Sequence, residues 1–116
     1  MSRMEPGEPY HRIDLEEALE MYYQEDTVVI DVRRPDEYAA GHVAEALSIP
    51  VDDILSRFDE LPNSKKLLFI CEGGVRSGLA CEMAAAMGLS ADNLYNIEAG
   101  TGSWINAGNP SSKGNE

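Results

Sequence analysis

Apolar and polar positions along this chain switch between two periods, one suited to strands and one to helices. Thr27-Val28-Val29-Ile30-Asp31-Val32 is a short β-branched run and predicts a strand buried on both faces. Leu67 to Ile70 and Leu94 to Ile97 predict two more, and Ala46 to Ile49 a weaker one stopped by Pro50. Asp14 is placed to N-cap a helix, with Glu17 completing a capping box. Leu15, Ala18, Leu19, Tyr22 and Tyr23 then share one helical face. Pro35 suits the first turn of a short helix that Gly41 ends. Ile54, Leu55, Phe58 and Leu61 predict an amphipathic helix closed by Pro62-Asn63. Leu79, Ala80, Met83, Ala84 and Met87 predict the buried face of another, capped by Gly88, and Ser103-Trp104-Ile105 starts a last one. Strands separated by helices predict an α/β fold around a mainly parallel sheet. Sites in such sheets form at the carboxyl ends of strands, where Asp31 and Cys71 both fall.

Length and composition set bounds on this picture. The chain has 116 residues, which suits one compact domain, and it shows no internal repeat. Residues 1–9 read as a loose lead-in and the Ser- and Gly-containing end, 111–116, as a frayed tail, which leaves 10–110 as the domain. No apolar run approaches the ~20 residues of a membrane helix, and the first residues lack a hydrophobic signal region. A cytoplasmic location with two reduced cysteines is therefore expected. A net charge of −12 argues against nucleic acid and anionic membranes as partners. It also repels anionic substrates, so local geometry must attract them.

The chemistry concentrates at Cys71. A thiol at the end of a buried strand, before a helix, meets inward N–H groups and a positive helix end. Both stabilise a thiolate. Gly73 and Gly74 let the backbone of the loop Cys71-Glu72-Gly73-Gly74-Val75-Arg76-Ser77 turn inward. Arg76 offers a guanidinium and Ser77 a hydroxyl near the helix start. Together these parts suit attack on a sulfur or phosphorus centre that carries negative oxygens. Glu72 opposes the thiolate and repels anionic donors, so weak use of thiosulfate is expected. Cys81, within the following helix, reads as core packing. Asp31, Arg33, Glu37 and His42 read as a paired network bracing the strand end beneath the loop. His11, His42 and two separated cysteines make no zinc set, and the reading calls for no metal or cofactor.

Three stretches resemble the single-domain rhodanese (thiosulfate sulfurtransferase-like) family. They are Ile30 to Val43, with Asp31-Val32-Arg33 and Glu37-Tyr38-Ala39-Ala40-Gly41-His42; the Cys71 loop, with its C-x-x-G-x-R-S pattern; and Asn96 to Trp104 followed by Ala107 to Pro110. The resemblance implies a five-stranded, mainly parallel sheet flanked by helices on both faces, with the nucleophile after the central strand. It implies that Cys71 takes a sulfane sulfur from thiosulfate, a polysulfide or a persulfide. Cys71 would hold it as a persulfide and pass it to cyanide or to a thiol, such as one on a thioredoxin-like or other protein. Loop amides from Glu72 to Ser77 would hold that sulfur, with Arg76 at the rim. Related phosphatases use a loop one residue longer, so the six residues from Cys71 to Arg76 favour sulfur over phosphorus. A non-catalytic binding module and a phosphatase or arsenate reductase are the other readings. Ala99 and Ser103 depart from the glycine and alanine more usual in the family's closing turn.

Overall fold

The computed structural model describes residues 2–115. Its strands are β1 (His11–Ile13), β2 (Thr27–Asp31), β3 (His42–Val43), β4 (Leu47–Ser48), β5 (Lys66–Ile70), β6 (Leu94–Ile97) and β7 (Ser111–Ser112). Its helices are α1 (Leu15–Tyr22), α2 (Pro35–Ala40), α3 (Val75–Ala86) and α4 (Gly100–Asn106). Five strands form one sheet in the order β1-β6-β5-β2-β4, parallel throughout. The central strand β5 is the one that ends at Cys71.

The strands are apolar on both faces because both faces are covered. Leu67, Phe69 and Cys71 point to one side of the sheet and pack with Ile30, Val32, Ala80, Ala84 and Ile54. Leu68 and Ile70 point to the other, against Ala18, Met21, Ile97 and Trp104. The period of two along β5 therefore carries the thiol to the side covered by α3. Helix α1 begins as the sequence predicts, with the Asp14 carboxylate accepting from the Glu17 N–H at 2.8 Å. No helix among the described residues is long and apolar enough to cross a membrane.

Four readings change. The helix expected over Ile54 to Leu61 is instead two short 3₁₀ turns, Val51–Asp53 and Phe58–Glu60. Ile54 and Leu61 are buried as the pattern requires, so burial held while the winding did not. The i to i+3 bonds from Ile54 N–H to Val51 and from Leu61 N–H to Phe58 replace a regular ladder. In α3 the buried face is Ser77, Gly78, Ala80, Cys81 and Ala84, whereas Leu79 and Met87 are exposed. Small residues let this helix lie close to the sheet. In α1 Met21 is buried and Tyr23, past the helix end, is exposed. The ends are also tied down. Ser111–Ser112 pairs antiparallel with His42–Val43, and Arg3 exchanges backbone bonds with Arg12.

Candidate active site

Cys71 directly follows β5, and its side chain is 1% exposed. A buried sulfur carries charge only if donors replace water. The Gly74 N–H lies 3.1 Å from Sγ and the Ser77 N–H 3.4 Å. The Ser77 hydroxyl is 3.2 Å away. Gly74 is the N-cap of α3 with φ +89°, a conformation that glycine adopts without strain. That turn aims the first free amides of the helix at the sulfur. Burial opposes the thiolate. The Ser77 hydroxyl and the amides of Ser77, Gly74 and Gly73 outweigh it, and hold the thiol below its ordinary value of 9.0.

The segment after β2 braces the loop through two ion pairs. Arg33 is buried against Asp31, with Nη2 donating to Oδ2 at 2.7 Å and to the Gly41 carbonyl at 2.7 Å. Its Nη1 donates to Glu72 at 2.8 Å. Arg76 donates through both terminal nitrogens to Glu37, at 2.7 and 3.0 Å. Hydrogen bonding from Arg76 brings the Glu37 carboxyl down to about 2. The four residues grouped in the sequence thus divide: Asp31 and Arg33 hold Glu72, and Glu37 holds Arg76. His42 belongs to neither pair. Its Nδ1 donates to the Tyr38 carbonyl at 2.8 Å, and its ring stacks on Tyr38.

The loop is also held from behind. The Thr101 N–H donates to the Cys71 carbonyl at 2.8 Å, and the Thr101 hydroxyl at 3.3 Å. Gly100, at φ +84°, lies so close that an added Cβ would sit 1.9 Å from the Glu72 carbonyl oxygen. Ala99 takes ordinary helical angles, φ −64° and ψ −28°, so alanine fits there without strain. Ser103 is exposed on α4. Cys81 is fully buried, and burial pushes its thiol well up, away from reactivity. Glu72 and Val75 are exposed at the rim. A cavity of about 510 Å³ opens beside the loop, lined among others by Gly73, Gly74, Val75, Asn96 and Glu98.

Asn96 and Thr101 did not emerge from the sequence. Asn96 had a signal: it is the polar residue inside the otherwise apolar run Leu94 to Ile97, and a buried amide needs partners. It has them in Ser77, at 2.6 Å, and the Gly74 carbonyl, at 3.0 Å. Thr101 had none, because its partner is a backbone carbonyl 30 residues away.

The sheet order, the thiol after its central strand and the amide-lined loop define a class of protein. The rhodanese-like domain family matches residues 14–107, and the chain belongs to it. A sulfurtransferase of Allochromatium vinosum is 31% identical over 74% of this chain and 78% of its own length. The uncharacterised protein YqhL of Bacillus subtilis is 33% identical over 66% of this chain, a stretch that spans 59% of YqhL. The crystal structure of a rhodanese-related protein from Thermoplasma volcanium superposes with a TM-score of 0.76 at 32% identity. It covers 87% of this chain and 96% of that one.

Proposed function

We propose that the protein is a sulfurtransferase that carries a sulfane sulfur as a Cys71 persulfide. The observation that carries this reading is a buried sulfur receiving bonds from the Gly74 and Ser77 amides, with only six residues from Cys71 to Arg76. The thiolate attacks the outer sulfur of the donor. The bond from that sulfur to the rest of the donor breaks, and the remainder leaves with the electron pair. An acceptor thiolate or cyanide then attacks the outer sulfur of the persulfide, and Cys71 leaves as the thiolate. The name of the Allochromatium relative supports this class of reaction.

The charge pattern supports a less charged or protein-bound persulfide donor over dianionic thiosulfate. Both arginines beside the loop are already matched, Arg33 by Asp31 and Glu72, and Arg76 by Glu37. A dianionic donor must compete with those carboxylates. A thiol on a partner protein of the thioredoxin type suits the acceptor role. A reducing compartment such as the cytoplasm keeps Cys71 free to react.

Intact-protein mass spectrometry tests the proposal. After polysulfide or thiosulfate the wild type should gain one sulfur and lose it to cyanide, and a folded Cys71→Ser variant should gain none. No uptake from either donor points to a binding module instead. Turnover of an aryl phosphate by Cys71 would replace the proposal with a phosphatase.

A further inference from the structure

The Ser77 hydroxyl has one hydrogen and two claimants. Its oxygen lies 2.6 Å from Asn96 Oδ1 and 3.2 Å from Cys71 Sγ. The other end of the Asn96 amide fixes the assignment. Nδ2 donates to the Gly74 carbonyl at 3.0 Å, so a reversed amide would set two oxygens against each other there. Oδ1 therefore faces Ser77 and can only accept. While Cys71 is a thiol, the Ser77 hydrogen goes to Asn96 and the S–H donates to the Ser77 oxygen. When Cys71 is a thiolate, the sulfur can only accept, and the same hydrogen must turn toward it.

We propose that Asn96 is a positioning residue that competes with the Cys71 sulfur for the Ser77 hydrogen. It keeps that hydrogen while the sulfur is neutral and yields it when the sulfur is charged. The loop is thus prevented from over-stabilising the resting thiolate, and a less stabilised thiolate attacks more readily. Asn96 is buried, and Gly78 lies close beneath its amide, so it has little freedom to turn away. Other groups act on the same sulfur. Arg76 on α3 favours the thiolate, Glu72 is its neighbour in the loop, and the buried Cys81 on α3 stays neutral. Asp31 at the end of β2, Arg33 after it, Glu37 on α2, Glu98 after β6 and Tyr10 with Glu8 before β1 complete the surroundings. None of them binds the Ser77 hydroxyl among the described residues.

The idea rests on Cys71 acting as a thiolate, as the proposed reaction requires, but its test needs no sulfur donor. The measurement is the pH dependence of Cys71 alkylation by iodoacetamide, in a Cys81→Ala background. Asn96→Ala should move the midpoint down by about half to one pH unit, the size of the one neutral hydrogen bond from Ser77 that it removes. Ser77→Ala should move it up. In the Ser77→Ala background, Asn96→Ala should have no further effect. A merely structural Asn96 would move the midpoint up, or equally in both backgrounds, and either result would overturn the proposal. Because Asn96→Ala opens a buried site, the same question is put to the native side chain by NMR. The Asn96 side-chain carbonyl carbon should titrate with the Cys71 midpoint in the protein with Asn96, and not in Ser77→Ala. No titration, or one that persists without the Ser77 hydroxyl, overturns it as well.

Discussion

At the scale of single residues, the site is a balance between desolvation and directed donors. Cys71 lies on the sheet face that also carries Leu67 and Phe69, surroundings that alone would keep its thiol neutral. Amides of Gly73, Gly74 and Ser77 reverse the sign. The alkylation rate should therefore rise with pH to a midpoint below 9.0, and return to the ordinary value in denaturant. Since the folded state lowers this pKa, the thiolate stabilises the fold fully above the unfolded value. That contribution is lost as pH falls through the folded one. Glu72 lies on Arg33 rather than free in solution. Glu72→Gln removes a charge and releases one guanidinium nitrogen. Its KM for thiosulfate should fall by roughly two- to fivefold, the scale of an exposed ion pair, in steady-state assays. An unchanged KM would show that the rim carboxylate does not govern donor choice.

At the scale of elements, the loop is positioned from both ends of the chain order. The turn into α4 closes on it from behind, and the fit at Gly100 leaves no room for a side chain. Gly100→Ala combines a positive φ with a clash against backbone, so it should cost about 4 kcal/mol or more in chemical denaturation. Any folded fraction should show a displaced Cys71. Asp14→Ala removes the N-cap of α1, far from the loop in function. It should cost about 1 kcal/mol by the same measurement and leave Cys71 alkylation unchanged. The 3₁₀ turns between β4 and β5 show how an element departs from its pattern. Ile54 and Leu61 need only burial, and two tight turns achieve it as well as a helix.

At the scale of the whole molecule, charge dominates. A net charge of −12 raises a long-range barrier to anionic donors. Salt screens that barrier. Raising ionic strength should therefore increase kcat/KM for thiosulfate, while an uncharged organic trisulfide donor should respond little. Acid acts on the loop through Glu37. Its carboxyl is held down to about 2 by Arg76, so the Arg76–Glu37 pair supports the fold fully above about pH 4.5. That support is lost as the pH falls toward 2, which acid titration followed by circular dichroism can detect.

Periodicity and punctuation in the sequence determined the strands around Ile30, Phe69 and Ile97, the helix after Asp14 and the place of Cys71. These depend on burial of nearby side chains and on local backbone preference, both of which a linear pattern records. The Cys71 loop was legible for the same reason, since its thiol, glycines, arginine and serine are adjacent in the chain. The tertiary structure alone decided who touches that loop. Glu37 reaches Arg76, Arg33 reaches Glu72, Thr101 holds the Cys71 carbonyl and Asn96 holds Ser77. Such pairs are set by the order and register of strands in the sheet. Strand order arises from packing both faces at once, and no local stretch of sequence encodes it.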